Sequence, residues 1–214
     1  MTSEPGVKVC GVTRPEDAVR AWSAGAWAIG VVLSPGGPRS LDTSRASAVL
    51  AALPEGARRV GVFVAPSVDE VVSAVTALRL THVQVHAATT PREVAALVSA
   101  AGVPVIEAIG VAGEASLARA EASPAAYVLL DAAGPGGRGG TGRMVDWELV
   151  ARRRPARPFG LAGGLTPANV AEAVARVRPA YVDVSSGVES APGVKDHRMI
   201  DAFIAAAAAV GTPA

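Results

Sequence analysis

Residues 103–131 have the sequence VPVIEAIGVAGEASLARAEASPAAYVLLD, and their pattern decides the fold. The short apolar runs Val103–Ile109 and Ala126–Asp131 have the length and composition of buried strands. Between them, Glu114–Ala122 has the spacing of a helix. Strands that alternate with helices lie parallel to each other, because the helix returns the chain to the same end of the sheet. This stretch therefore predicts one strand–helix–strand unit of an α/β protein.

The same alternation continues along the chain in both directions. Further strands, all short and largely apolar, are predicted at Val7–Val12, Ala28–Leu33, Arg59–Val64, His82–His86, Phe159–Ala162 and Tyr181–Ser185. Further helices are predicted at Arg14–Gly25, Thr43–Leu53, Val68–Arg79, Pro91–Ala101, Trp147–Arg153, Pro167–Arg178 and His197–Val210. Eight strand–helix units in 214 residues match a closed barrel better than an open doubly wound sheet. We therefore predict that residues 1–214 form a single (β/α)8 TIM barrel, a single-domain α/β catalytic domain.

Composition and charge exclude several classes of protein. Half of the residues are hydrophobic and the mean hydropathy is +0.34, which excludes a disordered chain. The net charge is only +1, from 20 basic and 19 acidic residues, so no nucleic-acid partner is expected. The longest apolar stretch, Ala202–Val210, is too short to span a membrane, and the polar residues 2–6 do not resemble a signal peptide. We expect a cytoplasmic protein with no membrane partner.

Reactive side chains accumulate at the predicted carboxyl ends of the strands, where barrel enzymes place their active sites. Cys10, His86, Asp131 and Asp183 lie at or near strand ends, and Arg39 lies in the loop after the second strand. Each also has an ordinary structural explanation, since a lone cysteine is often a small buried hydrophobe. As the only cysteine, Cys10 excludes an intramolecular disulfide and a cysteine-based zinc site.

Asp131 is followed by a glycine-rich segment, Gly134–Gly142, which contains six glycines. Such a density of glycine lets backbone N–H groups approach a ligand closely. A floppy surface loop after a polar strand end explains the same pattern equally well. This segment alone therefore leaves a functional loop and a structural loop open.

Two later strand ends have the composition of a phosphate site. Gly163 and Gly164 precede a predicted helix with proline in its first turn, and Ser185, Ser186 and Gly187 end the last strand. In many barrels, the loops after strands seven and eight hold a phosphate group with unpaired N–H groups and a helix terminus. We favour a phosphate site at these five residues over two coincidental tight turns.

The motifs, taken in order, resemble those of the phosphoribosylanthranilate isomerase family over essentially the whole chain. They are Lys8–Ala18, Pro35–Arg39, Val60–Val64, Val83–His86, Gly139–Gly142 with Asp146 and Trp147, Leu161–Val170, Val182–Glu189 and Gly193–Asp196. Each motif alone is weak, but the ordered set is highly specific.

The resemblance implies an Amadori rearrangement of N-(5-phosphoribosyl)anthranilate to 1-(2-carboxyphenylamino)-1-deoxyribulose 5-phosphate, in tryptophan biosynthesis. It implies that Cys10 is the general base, that Asp131 is the general acid and that Arg39 binds the anthranilate carboxylate. The predicted phosphate loops would hold the substrate phosphate, and His86 and Asp183 are expected to bind the substrate. The implied partner is a small phosphosugar, no metal or organic cofactor is implied, and a monomer or homodimer is expected.

The implied chemistry places requirements on the acid and the base. Ring opening needs a protonated acid, and burial on a barrel strand is expected to raise the pKa of Asp131. A thiol with an ordinary pKa near ~8.5 is mostly protonated at neutral pH, so Cys10 would benefit from a lowered pKa. Lys8 lies two residues earlier, on the same strand face, and is a candidate cationic neighbour.

Three positions depart from the family pattern. Gly37 stands where serine is common, Ala87 stands where glycine is common, and Gly30–Leu33 replaces an aromatic strand. Gly36 and Gly37 are expected to make their loop mobile, so that Arg39 is displaced in the absence of ligand. The methyl group of Ala87 is expected to crowd the substrate.

Two other functions stay open. The first is a related sugar-phosphate isomerase, such as that of histidine biosynthesis, or a broad-specificity enzyme that acts on both substrates. Those enzymes use two aspartates and a substrate with two phosphates, whereas this chain has Cys10 and one evident phosphate site. The second is a catalytically idle barrel kept for assembly, which the presence of Cys10, Asp131 and Arg39 disfavours.

Overall fold

The computed structural model describes residues 5–87, 90–133 and 144–210. Eight parallel strands form a closed barrel in chain order, and the last strand pairs with the first. The strands are β1 Gly6–Val9, β2 Ala28–Val32, β3 Arg59–Val64, β4 His82–His86, β5 Val105–Val111, β6 Tyr127–Ala132, β7 Gly160–Leu161 and β8 Tyr181–Val184. The helices are α1 Pro15–Ser23, α2 Thr43–Ala51, α3 Val68–Leu78, α4 Pro91–Ala100, α5 Glu114–Ala122, α6 Trp147–Arg152, α7 Val170–Val177 and α8 His197–Ala208. The predicted (β/α)8 barrel is confirmed.

Most of the helices begin at short polar side chains or prolines, which favour a helix start. Ser67 and Thr90 each accept a hydrogen bond from the backbone of the third helical residue, whose glutamate side chain bonds back. Pro15 and Pro91 occupy the first helical position, where a missing N–H costs nothing. None of the helices in the described residues is both long and apolar enough to cross a membrane.

The structure differs from the sequence prediction near the last two strands. A short antiparallel hairpin, β9 Glu189–Ala191 with β10 Val194–Lys195, lies between β8 and α8 and was not predicted. Helix α7 begins at Val170 instead of Pro167, because the Asn169 side chain closes a turn before it by accepting the Thr166 N–H. The glycine-rich segment Gly134–Gly142, with its Gly139–Gly142 motif, lies outside the described residues.

Aromatic side chains fill the amino-terminal end of the barrel. The ring of Trp27 lies 5.3 Å from that of Tyr181 and 6.0 Å from that of Tyr127. Gly160 makes room for this packing, since a Cβ atom there would lie 2.2 Å from the Tyr181 ring. The interior is therefore closed at this end, which leaves the carboxyl ends of the strands for a cavity.

Candidate active site

A cavity of about 370 Å³ opens at the carboxyl ends of the strands. Its lining includes all ten residues that the sequence predicted for the site: Cys10, Arg39, His86, Asp131, Gly163, Gly164, Asp183, Ser185, Ser186 and Gly187. These residues come from six different strand ends, which closure of the barrel brings together. The structure therefore places every predicted site residue around one space.

Asp131 lies near the end of β6 and is only 7 % exposed. Burial raises the pKa of its carboxyl from 3.8 to about 6, even though the Ala132 N–H donates to Oδ1 at 2.7 Å. The negative charge of Asp183 adds to the rise, and Lys8 opposes it. The predicted rise in the pKa of Asp131 is confirmed, so this carboxyl holds a proton much more readily than an exposed one.

Replacing Asp131 with Asn is expected to stabilise the protein at neutral pH. Because folding raises the pKa of Asp131 from 3.8 to about 6, the folded state binds the proton more tightly than the unfolded state. The free energy of unfolding of the wild type therefore falls as pH rises through this window, by about 3 kcal/mol in total. Asn cannot ionise and keeps an acceptor for the Ala132 N–H. Urea unfolding at several pH values checks this: the gain should be absent below pH ~4 and largest above pH ~6.

Asp17 supplies a matched control for this experiment. It is also buried, but hydrogen bonds from Arg14, the Lys195 N–H and His197 outweigh burial and hold its pKa below the usual value. Asp17→Asn should therefore destabilise the protein at neutral pH. A stability of Asp131→Asn equal to that of the wild type at pH 7 would contradict the raised pKa.

Cys10 follows β1 directly, and its N–H donates to the Val184 carbonyl at 2.8 Å. Burial raises the pKa of the Cys10 thiol, whereas the nearby ammonium group of Lys8 acts to lower it. The predicted cationic neighbour is therefore present, but the lowered pKa of Cys10 that would favour a base is not. The reason is that the cost of removing a thiolate from water, together with the negative charge of Asp183, outweighs the stabilisation of that thiolate by Lys8 and Lys195.

The Lys8 ammonium group is tied to Asp183 across the barrel interior. Lys8 Nζ lies 3.0 Å from both carboxylate oxygens of Asp183, and Lys8 is fully buried. Burial lowers the pKa of Lys8, but the attraction of Asp183 and Cys10 outweighs it, so the pKa is raised and Lys8 stays charged. The Lys8 ammonium group thus lies between the Asp183 carboxylate and the Cys10 thiol, and it places a positive charge next to these two cavity residues.

His86 lies at the end of β4 beside Gln84, a buried residue for which the sequence analysis assigned no role. Burial, with a smaller effect from Lys8, lowers the pKa of His86 to about 4, so its ring is neutral at neutral pH. Gln84 Nε2 lies 2.8 Å from His86 Nε2. This contact is a hydrogen bond between the Gln84 amide and the neutral imidazole, and the tautomer of the ring sets which group donates. The period-2 alternation that places both side chains inside the barrel could have indicated Gln84.

Arg39 lines the cavity and is held by a residue that the sequence analysis did not assign. Its Nε and Nη2 atoms donate to the two carboxylate oxygens of Glu189 at 2.8 and 2.6 Å. Glu189 also accepts a hydrogen bond from Lys195 Nζ at 2.8 Å. The expected displacement of Arg39 in the absence of ligand is therefore wrong, because an ion pair from the β9–β10 hairpin fixes its side chain.

The loops after β7 and β8 are in direct contact with each other. Gly163 and Gly164 have φ values of +83° and +66°, in the left-handed region that favours glycine. A Cβ atom on Gly187 would lie 1.8 Å from the Leu165 carbonyl oxygen, so only glycine fits there. Among the described residues, neither Gly163 nor Gly164 donates a backbone hydrogen bond to a protein group. Their N–H groups are therefore free to bind an anion at the cavity edge.

Alanine at position 87, where the family commonly has glycine, affects the conformation of the backbone. Ala87 has a φ of 55°, a left-handed conformation that costs a non-glycine residue about 1–2 kcal/mol. Ala87 does not line the cavity, and crowding of the substrate by its methyl group stays a prediction. The glycine common in the family would adopt this backbone conformation without strain.

No group of three or more His, Cys, Asp or Glu side chains in the described ranges is placed to hold a metal ion.

Comparison with known proteins agrees with the geometry. The family model described as N-(5'-phosphoribosyl)anthranilate (PRA) isomerase matches residues 7–206. The chain is 46 % identical over 209 residues to the N-(5'-phosphoribosyl)anthranilate isomerase of Myxococcus xanthus, covering 95 % of this chain and 96 % of that one.

Solved structures of the same family are similar along nearly the whole chain. The phosphoribosyl anthranilate isomerase of Thermotoga maritima superposes with a TM-score of 0.87 at 37 % identity, covering 95 % of this chain and 98 % of that chain. A phosphoribosyl anthranilate isomerase in complex with reduced 1-(o-carboxyphenylamino)-1-deoxyribulose 5-phosphate gives 0.82 at 35 % identity, with the same coverage. With a matching family model, close relatives and a cavity lined by all ten predicted site residues, the chain belongs to the phosphoribosylanthranilate isomerase family.

Proposed function

We propose that this protein isomerises N-(5'-phosphoribosyl)anthranilate to 1-(2-carboxyphenylamino)-1-deoxyribulose 5-phosphate in tryptophan biosynthesis. The observation that carries the proposal is a single cavity lined by a carboxyl with a raised pKa, a thiol, a guanidinium group and two glycine-bearing loops. Each matches one part of the substrate: the ring oxygen, the C2′ proton, the carboxylate and the phosphate. Family membership supports the same reaction.

Asp131 is assigned as the general acid. It donates its proton to the ribose ring oxygen while the bond from that oxygen to C1′ breaks, and the anthranilate nitrogen forms a double bond to C1′. The pKa of about 6 keeps a useful fraction of the carboxyl protonated near neutral pH. Gly163 lies beside it, since a Cβ atom there would be 3.2 Å from Asp131 Oδ1. A phosphate dianion bound to Gly163 and Gly164 would raise this pKa further.

Cys10 is assigned as the general base. Its thiolate removes the C2′ proton, and the electrons of that C–H bond form the C1′–C2′ double bond of an enolamine. The enolamine then takes a proton at C1′ from solvent while its C2′ hydroxyl gives one up to solvent and becomes a ketone. Cys10 releases its proton to solvent and Asp131 regains one, so both groups return to their starting states. Lys8 and Lys195 both act to lower the pKa of Cys10 and thus favour the thiolate against burial.

The remaining residues are assigned to substrate binding. Arg39 would bind the anthranilate carboxylate, and Gly163, Gly164, Ser185, Ser186 and Gly187 would bind the phosphate. His86 and Asp183 line the cavity between these ends, where neutral imidazole and carboxylate groups suit sugar hydroxyls. A monomer or a homodimer is proposed, because the phosphoribosylanthranilate isomerase of Thermotoga maritima, at 34 % identity, is described both as a dimer and as generated monomers.

We also propose one catalytic domain over residues 1–214 and a cytoplasmic location, where reducing conditions would keep the Cys10 thiol free. Limited proteolysis that releases a stable fragment shorter than the barrel would contradict the single domain.

A turnover assay with both isomerase substrates tests the proposed function. Loss of anthranilate fluorescence follows the tryptophan-pathway substrate, and product analysis follows the histidine-pathway substrate. Turnover of only the first is the expected result. Turnover of both would favour the broad-specificity alternative, and turnover of neither would favour the idle barrel.

Arg39→Lys is expected to lower kcat/KM by roughly 10–150-fold, which corresponds to about 1.5–3 kcal/mol for a hydrogen bond to a charged group. Lysine keeps the charge but cannot present the planar fork that grips a carboxylate or pairs with Glu189. Steady-state kinetics measure the loss. Gly37→Ser on the same loop should leave activity equal or improve KM, because its Cβ atom would lie 3.6 Å from Ser40 Oγ, an ordinary contact. An unaffected Arg39→Lys enzyme would mean that another group holds the carboxylate.

Inorganic phosphate is expected to inhibit competitively with respect to substrate and to bind the loops after β7 and β8. The free N–H groups of Gly163 and Gly164 offer donors, and the short helical turn Ser186–Val188 begins at the same edge. A crystal soaked in phosphate should show the anion within hydrogen-bond distance of Gly164 and Ser186. An anion bound only elsewhere, or noncompetitive inhibition, would contradict the assignment.

A further inference from the structure

The β9–β10 hairpin supplies the residue that fixes Arg39. Glu189 is nearly buried, with its side chain 5 % exposed, and both of its carboxylate oxygens accept hydrogen bonds from Arg39. Lys195, whose side chain is fully buried, donates to Glu189 at 2.8 Å from the other strand of the hairpin. A carboxylate with two cationic partners has a single well-defined position.

The hairpin itself is fastened to the body of the barrel. The Lys195 N–H donates to Asp17 at 3.2 Å, and Arg14 donates to the Lys195 carbonyl at 3.2 Å. A Cβ atom on Gly193 would lie 2.8 Å from the Pro38 carbonyl oxygen, so the hairpin also touches the loop that carries Arg39. Glu189 therefore lies on a hairpin whose contacts with the barrel restrict both its own position and that of Arg39.

The pairing leaves part of the Arg39 guanidinium available. Glu189 takes the edge formed by Nε and Nη2, whereas no protein group in the described ranges accepts from Nη1. A guanidinium has five N–H donors, so a second edge can still donate two parallel bonds to a ligand carboxylate. The charges of Arg39, Lys195 and Glu189 sum to +1, and the carboxylate of one bound ligand would neutralise that charge.

The same hairpin also reaches the proposed phosphate loop. Lys195 Nζ donates to the Ser185 carbonyl at 3.0 Å while it donates to Glu189. The carboxylate end and the phosphate end of the cavity are thereby joined through one buried lysine. The distance between these two ends of the cavity therefore depends on the hairpin, because Lys195 lies on its second strand.

We infer that Glu189, fixed by Lys195, is a positioning residue that holds Arg39 with its free edge toward the anthranilate carboxylate. This inference rests on the proposed function. It differs from a competing role, in which Glu189 occupies Arg39 and must be displaced by the substrate. The two roles predict opposite changes in KM when the Glu189 charge is removed.

A double-mutant cycle in kcat/KM tests the inference. Glu189→Gln keeps the size of the side chain but loses the charged acceptor, so KM should rise roughly tenfold while kcat changes less than about threefold. In an Arg39→Ala background, Glu189→Gln should change kcat/KM less than about twofold, because the guanidinium group that Glu189 positions is absent. A loss through general damage to the fold would be the same in both backgrounds. Glu148→Gln, which breaks an exposed pair with Arg176, is the matched control and should leave kinetics unchanged.

Calorimetric binding of reduced 1-(o-carboxyphenylamino)-1-deoxyribulose 5-phosphate separates the possible failures. The expected result is weaker binding by Glu189→Gln than by the wild type. An active wild type with equal or tighter binding by Glu189→Gln would overturn the positioning role alone. Additive losses in the cycle would overturn it as well. A wild type that neither binds this compound nor turns over would overturn the proposed function and this inference together.

Discussion

Asp131→Asn is expected to lower kcat by about 10²–10⁴-fold, the range for loss of a proton-transfer group. The amide has nearly the shape of the carboxyl and can still accept the Ala132 N–H bond, but it has no acidic proton to give to the ring oxygen. Substrate binding should change little, since the carboxylate and phosphate contacts lie on other loops. The loss should therefore fall on kcat more than on KM.

Fluorescence-monitored steady-state kinetics measure this loss, with circular dichroism to show that the barrel is folded. Asp201→Asn is a suitable control, because Asp201 lies on α8 in an exposed pair with Arg20. The expected combination is a variant that is more stable and far less active than the wild type. A kcat near that of the wild type would exclude Asp131 as the acid.

Cys10→Ser is expected to lower kcat by a similar ~10²–10⁴-fold. A serine hydroxyl fits the space of the thiol but is a far weaker acid, so it supplies almost no anion to remove the C2′ proton. Burial already raises the pKa of Cys10, so the wild type works with a scarce thiolate that Lys8 and Lys195 help to form.

Two measurements check the assignment of Cys10. The kcat of Cys10→Ser should resemble that of Cys10→Ala, because neither side chain can act as the base. The ultraviolet absorbance of the thiolate should titrate above the ordinary range in the wild type and be absent from Cys10→Ser. Near-normal turnover by Cys10→Ser would show that another group removes the proton.

The barrel and its site positions could be predicted because both depend on local patterns. Eight apolar runs alternating with helical spacing define a closed parallel sheet, and the strand ends then share one face. That rule gives the positions of Asp131 and Cys10, whereas their expected roles as acid and base came from the resemblance to the family. Gln84 could have been found in the same way, since it shares the parity of His86 on β4.

The contacts of Arg39 could not be predicted from such patterns. Its partner Glu189 is 150 positions away in the chain, on a hairpin whose two strands contain three and two residues. Strands this short show no alternation of polar and apolar residues. The hairpin, and with it the ion pair between Glu189 and Arg39, could therefore not be predicted from the sequence. The pKa of Cys10 was missed for a related reason: strand parity places Lys8 nearby, but the energy of burial depends on the whole barrel.

The Lys8–Asp183 pair has a consequence for the order in which the barrel can form. The two residues are separated by 175 positions and come from the first and last strands of the barrel. Until β8 is in place, a buried Lys8 would be an uncompensated charge, which costs on the order of 3–5 kcal/mol. Burial of β1 in a barrel that still lacks β8 is therefore unfavourable, because Lys8 would be buried without Asp183. A nascent chain should keep β1 open to water until its last strand arrives, and the catalytic floor should be assembled only in that final step.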